Sequence, residues 1–250
     1  MRAMILAAGL GTRLKPFTNH HPKALALVNG KTLLQRNIEY LQAYGICEVV
    51  VNVHHFSDQI IRAVQENNGW GSEITISDET SEVLETGGGV LFAADYFKDD
   101  ASWLVMNADI LTTMPLDKMM AADAALKNSH DHYVATLAVT NRSSSRNLLF
   151  NQNDLLIGWK NNTTLEEKWV AAQTNDINDS SKIIPKAFSG IQIIHAPFFT
   201  ALKLQGKFSL IDAYLQIATT NTIGYYDHSD SILMDVGKPE NLEKAATLFP

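Results

Sequence analysis

The chain has 250 residues, 46% of them hydrophobic and 19% charged, with a formal net charge of −7. That size suits one large domain with its own core, and an acidic balance without a long Lys/Arg run argues against a nucleic-acid or membrane-surface partner. The single cysteine, Cys47, excludes an internal disulfide and suits a reducing cytoplasm; it reads as a small buried apolar residue at the start of a strand.

Residues 2–8 (RAMILAA) read as a buried strand, too short for an export signal or a membrane span and broken at Gly9. Leu33, Leu34, Ile38 and Leu41 then share one face of a helix that stops at Gly45. Residues 47–53 (CEVVVNV) form a β-branched strand, and a helix capped by Ser57 follows. Residues 73–77 give a third strand, and a glycine cluster opens a helix over 86–97. Residues 102–109 (SWLVMNAD) give a fourth strand with a polar end, followed by a helix with Pro115 in its first turn.

This alternation predicts an α/β fold, a Rossmann-like three-layer α/β/α sandwich with a mixed, mostly parallel central sheet. From about 131 the rhythm changes. Residues 133–139, 146–150 and 155–160 read as strands without helices between them, an antiparallel or mixed extension of the sheet. Residues 161–182 are rich in Asn, Asp, Ser and Thr and read as a surface excursion, a hairpin or a flap. A strand (187–194), a helix (208–218), a short strand (223–226) and a strand–loop–helix (232–249) complete the chain. The expected organisation is one domain over 1–250, with a first half to 130 and a second half carrying the excursion.

Ligands of such sheets sit beyond the carboxyl ends of the strands. The segments there are 9–15, 52–55, 78–86 and 107–109, which are the polar and glycine-rich places of the chain. The first of them does not fit two familiar loops. A dinucleotide fingerprint needs a third glycine where Leu14 stands, and a Walker loop ending at Gly30-Lys31-Thr32 needs one where Leu25 stands. Asn29-Gly30 reads as a turn instead. What remains is a phosphate loop of another design, in which backbone N–H groups and the planar fork of Arg13 face an anion. His20, His21, His54 and His55 come in pairs without further metal ligands at suitable spacing, and a hydrogen-bonding role is expected of His54 and His55. No Ser/His/Asp or Cys/His arrangement for nucleophilic catalysis is found.

LAAGLGTRLKPFT (6–18) with PKAL (22–25), and a late Asp235-Val236-Gly237, resemble the signature of the sugar-1-phosphate nucleotidyltransferases, and the resemblance extends over essentially the whole chain. It implies that the phosphate of a sugar 1-phosphate attacks the α-phosphorus of an NTP, giving an NDP-sugar and pyrophosphate. Arg13 is then expected to bind the triphosphate and Lys23 to draw the two phosphates together. Asp109 and Asp235 are expected to hold Mg²⁺. Ala8 and Gly9, with Gly11 and Thr12 behind them, and Glu85, Gly87 and Gly88 are expected around the nucleotide. Asn107, Gly190 and the excursion 161–182 are expected around the sugar. The family glycine between Asn107 and Asp109 is replaced by Ala108, which would be strained at positive φ.

LETGGG (84–89) and FSGI (188–191) are most similar to members that use UTP and N-acetylmuramate 1-phosphate, ahead of those that use GTP with mannose or heptose 1-phosphate. A Glu-Glu-Lys-Pro motif of many relatives is imitated by LEEKW (165–169) at a displaced position. No phosphate role is therefore carried to Lys168, and Lys160 is the weaker alternative. The partners implied are small molecules, with the protein a monomer or small homo-oligomer. A non-catalytic nucleotide-sugar sensor on the same fold is the alternative from another class.

Overall fold

The computed structural model describes residues 1–171 and 180–250; residues 172–179 of the polar excursion lie outside the described residues. Its elements begin with β1 (Ala3–Leu6), β2 (Leu27–Val28), β3 (Lys31–Thr32), α1 (Leu33–Gln42), β4 (Glu48–Val53), α2 (Ser57–Glu66) and β5 (Glu73–Asp78). They continue with α3 (Glu85–Phe92), β6 (Ser102–Asn107), β7 (Ile110–Thr112), α4 (Leu116–Ser129), β8 (Tyr133–Thr140), β9 (Arg146–Phe150), β10 (Leu156–Asn161) and β11 (Glu167–Trp169). The chain closes with β12 (Ile184–His195), α5 (Pro197–Ala201), α6 (Leu210–Ile217), β13 (Thr222–Asp227), β14 (Leu233–Asp235) and α7 (Pro239–Leu248).

The layers follow from the two-residue period of the strands. Along β1, Ala3 and Ile5 turn to one face and pack with Leu34, Ile38 and Leu41 of α1 and Ile60 of α2. Met4 and Leu6 turn to the other face, into a core with Val90 of α3, Phe198 of α5 and Tyr214 of α6. A strand covered on both sides has no solvent face, which is why its sequence is one continuous apolar run. Each fully buried large side chain in these two cores contributes about 1.5–3 kcal/mol by leaving water.

Strands β5, β4, β1 and β6 are parallel neighbours, with Ile5 opposite Val51 and Met106. The second half joins the same sheet: β12 lies antiparallel to β6, and β8 pairs with β12 and, in parallel, with β13. Beyond β12 run β9, β10 and β11, so the excursion begins as an antiparallel hairpin of β10 and β11; its described end, Ser180–Lys182, is a 3-10 turn. The three-layer α/β/α sandwich with a mixed, mostly parallel sheet is thus present. Asn29 and Gly30 form the two-residue turn between β2 and β3, both at positive φ (48° and 78°), so the turn reading of this dipeptide holds.

Two local expectations are corrected. Cys47 is exposed. The buried anchor is its neighbour Ile46, whose N–H donates to the Leu41 carbonyl at 3.1 Å; Cys47 only lends its carbonyl to Glu73 N–H at 2.8 Å, and its side chain faces out. Ser57 is the first residue of α2 rather than its cap; the preceding Phe56 takes φ 55° and no side chain caps this end. By contrast, Thr32 caps α1 by accepting from Gln35 N–H, and Ser209 caps α6 by accepting from Asp212 N–H. Among the described residues no helix is long and apolar enough to cross a membrane.

Candidate active site

A cavity of about 510 Å³ opens beyond the carboxyl ends of β1, β4 and β6. Of the expected site residues, Ala8, Gly9, Gly11, Thr12, Lys23, Glu85, Asn107 and Asp109 line it. Arg13, Gly87, Gly88, Gly190 and Asp235 do not, and each stands in a different relation to it.

The floor is the loop after β1. Among the described residues, the N–H groups of Gly9, Leu10 and Gly11 have no hydrogen-bond partner. They are donors available to a ligand at the edge of a parallel sheet, which is what an anion requires. The start of the loop is fixed from below by Asn52, at the end of β4. Its Oδ1 accepts from Ala7 N–H at 2.7 Å and Ala8 N–H at 3.4 Å, and its Nδ2 donates to Glu79 Oε1 at 2.7 Å. Both Asn52 and Glu79 are buried, and burial pushes the Glu79 carboxyl above its usual range. The other end of the loop is pinned by Thr18, whose hydroxyl donates to the Gly11 carbonyl at 2.9 Å.

The charged groups gather at the next strand ends. Asp109 follows β6, and Asp235 ends β14, which lies antiparallel to β7 with Asp235 opposite Ile110. Val236 N–H donates to the Asp109 carbonyl at 2.8 Å, so the turn that carries Asp109 adjoins the strand end that carries Asp235, although they are far apart in the sequence. Lys23 donates to Asp109 Oδ2, both side chains being largely covered. Arg13 stands beside Asp235, Nη2 to Oδ2 3.8 Å, outside the cavity wall and largely exposed. An exposed pair of this kind contributes little to stability, so its place here is not explained by folding. Asp235 Oδ1 is buried with no partner.

An orphaned carboxylate oxygen, on a segment hydrogen-bonded to the one that carries Asp109, is a donor suited to a hard divalent cation. No group of three or more metal-ligating side chains occurs among the described residues, so the donor set suits an ion that completes its shell with water and phosphate oxygens. Ala108 is not at positive φ; it is buried, donating to Leu6 O and accepting from Asn37 Nδ2, so no strain attends the missing glycine.

Gly87 and Gly88 are also corrected. They face away from the cavity, and their N–H groups both donate to the Phe208 carbonyl, at 2.9 and 3.1 Å. A Cβ on Gly87 would lie 2.5 Å from the Phe208 ring, and one on Gly88 would lie 2.3 Å from the Gly206 carbonyl oxygen. These glycines let α3 press against the chain before α6, and Glu85 and Thr86 form the cavity wall in their place. Glu85 sits at φ 60°, a rare conformation for a side-chain-bearing residue, with its carboxylate 3.9 Å from Lys207 Nζ. Gly190 supports the site from behind. At φ 74° in the bulge of β12, its missing Cβ leaves room for the Asn107 amide, which would otherwise be 2.6 Å away.

Asn52, Glu79 and Lys207 were not among the expected site residues. Asn52 and Glu79 fall in segments that follow strands, which is the one signal pointing to them; Lys207 carries none. His54 donates from Nδ1 to the Glu79 carbonyl at 2.6 Å, the hydrogen-bonding role expected. Lys160 and Lys168 are engaged in exposed ion pairs with Glu167 and Asp212, each at 2.8 Å.

Unbonded loop amides, cations and carboxylates on adjoining segments at the mouth of an α/β sheet make a setting suited to phosphate groups. Residues 2–148 match the model of the nucleotidyl transferase family. The chain is 31% identical over 242 residues, 95% of its length and 92% of the relative's, to N-acetylmuramate alpha-1-phosphate uridylyltransferase of Caulobacter vibrioides. It is 29% identical over 245 residues, 96% of each chain, to D-glycero-alpha-D-manno-heptose 1-phosphate guanylyltransferase of Campylobacter jejuni. A crystal structure of HddC from Yersinia pseudotuberculosis complexed with GMP-PN superposes with a TM-score of 0.76 over all of this chain and 99% of that one, at 23% identity, a likeness of fold. The chain belongs to the nucleotidyl transferase family and is a sugar-1-phosphate nucleotidyltransferase.

Proposed function

We propose that residues 1–250 form one nucleotidyltransferase domain that joins UTP to N-acetylmuramate 1-phosphate, releasing pyrophosphate. The observation that carries the chemistry is the neighbouring pair Asp109 and Asp235, with Lys23 and Arg13 beside them at the unbonded loop amides. A sugar phosphate is already anionic near neutral pH, so no side chain need act as nucleophile. Its oxygen attacks the α-phosphorus in line with the departing pyrophosphate, and the protein's task is to position two polyanions and offset their charge. Lys23 draws the attacking phosphate and the α-phosphate together, and Arg13 with the amides of Gly9, Leu10 and Gly11 holds the triphosphate. Asp109 and Asp235 would hold Mg²⁺, which when bound neutralises phosphate charge and orients the reacting groups.

Ala8, Gly9 and Glu85 receive the base. A carboxylate accepts hydrogen bonds, so Glu85 suits a ring N–H such as that of uracil or guanine. The name of the Caulobacter relative supports UTP and N-acetylmuramate 1-phosphate. The name of the Campylobacter relative supports a second reading, GTP with a heptose or mannose 1-phosphate. Pyrophosphate release measured over a matrix of NTPs and sugar 1-phosphates decides between them. Highest kcat/KM for the UTP and N-acetylmuramate pair supports the first reading; preference for GTP with a neutral sugar overturns it.

A further inference from the structure

A second hollow, of about 250 Å³, lies at the same rim of the sheet, beyond the carboxyl end of β8. Its place follows from register. β6 and β8 both run antiparallel to β12, so they run the same way, and Asn107 and Thr140 end them on the same side. The two strands are separated by β12 alone, about 10 Å by two interstrand spacings. Asn162, at the described start of the polar excursion, closes the hollow by donating from its backbone N–H to Ser145 O at 2.8 Å and from Nδ2 to Ser144 O at 2.9 Å.

The hollow is lined by Thr140, Asn141, Arg142, Asn147 and Asn162, among others. Arg142 Nη2 donates to the Phe188 carbonyl at 3.1 Å, two residues before Gly190, the residue that backs Asn107. That bond holds the guanidinium at the bulge, and among the described residues no carboxylate pairs with it. The neighbouring cation is already balanced: Lys186 donates to Asp227 Oδ2 at 2.5 Å and Asn141 Oδ1 at 2.8 Å. The Thr140 hydroxyl is buried without a partner. Asn162 Nδ2 also donates to Asn147 Oδ1, so among the described residues each of the three amides has one end engaged within the protein and one left for a ligand. An anchored but uncompensated arginine beside such amides is the pattern of a site for a polar ligand bearing a carboxylate.

We propose that this hollow takes the far side of the sugar and that Arg142 recognises an acidic substituent on the ring. This rests on the nucleotidyl-transfer reading and deepens it. N-acetylmuramate carries a lactyl carboxylate; a neutral hexose or heptose offers Arg142 no counter-charge.

The test compares N-acetylmuramate 1-phosphate with N-acetylglucosamine 1-phosphate, which lacks only the lactyl ether. Each is titrated calorimetrically into the wild-type chain, Arg142→Ala and Arg142→Lys, and each is assayed for pyrophosphate release with UTP and with GTP. The expected result is that wild type prefers the acidic sugar by about 10- to 100-fold in affinity and that the preference collapses toward unity in Arg142→Ala, with Arg142→Lys between them. Equal affinity of the wild type for both sugars, or a preference that survives Arg142→Ala with the melting temperature retained, overturns the proposal. Absence of turnover with every pair overturns the nucleotidyl-transfer reading, while the calorimetric ratio still decides the role of Arg142.

Discussion

Asn52 holds the loop after β1 in place only because Glu79 holds Asn52: the carboxylate accepts the amide's N–H at 2.7 Å, leaving the amide oxygen for Ala7 and Ala8. Removing the amide strands two loop N–H groups and a buried carboxylate. Asn52→Ala is expected to lower stability by about 1–3 kcal/mol and to raise KM for the NTP. Glu79→Gln, which keeps an acceptor oxygen, is expected to retain most of both. Thermal melts and NTP saturation curves check this; an NTP KM unmoved in Asn52→Ala would remove the positioning role.

Gly88 distinguishes packing from ligand contact. A methyl group there meets the Gly206 backbone oxygen, which cannot swing aside as a side-chain end would. Gly88→Ala is expected to cost about 1–3 kcal/mol, seen as a fall of about 3–10 °C in Tm. A raised KM for the NTP at unchanged Tm would instead return Gly88 to the base site.

His228 supplies a pH signature. It is buried, its Nε2 2.7 Å from Ser189 Oγ, and burial, with the Arg142 charge adding and Asp227 opposing, pushes its pKa down to about 4. Between that value and about 6.5 the unfolded chain takes up a proton that the folded chain refuses. The neutral histidine's contribution is therefore complete above about pH 6.5 and declines as pH falls toward 4. Melting curves of wild type and His228→Gln over this range should converge as the pH falls. A constant difference between them would contradict the assignment.

Much of this was legible in the sequence, for physical reasons that vary by residue. The two-sided burial of β1 and β4 writes itself as continuous apolar runs, so the sheet and its ligand-bearing edge are readable. The signature from Leu6 to Lys23 marks the loop. The pairing of β7 with β14 is not readable, because three-residue strands leave no period, yet it makes Asp109 and Asp235 neighbours. Glu79 and Asn52 are joined across strands by one hydrogen bond that no spacing encodes. Gly87 and Gly88 read as ligand-facing because a glycine needed for a helix contact looks the same in sequence as one needed for a substrate.

Lys168 separates motif from place. Its exposed pair with Asp212 is worth at most about 1 kcal/mol. Lys168→Ala is expected to change kcat/KM by less than about threefold. A loss of 100-fold in steady-state kinetics would give this lysine the phosphate role withheld from it.

The central claim, that Asp109 beside Asp235 and Lys23 organises the reacting phosphates, is tested most directly by pyrophosphate release in Asp109→Ala with saturating UTP, N-acetylmuramate 1-phosphate and magnesium. A fall in kcat of about 100-fold or more with Tm retained is the predicted result. A kcat within a few-fold of wild type would contradict it.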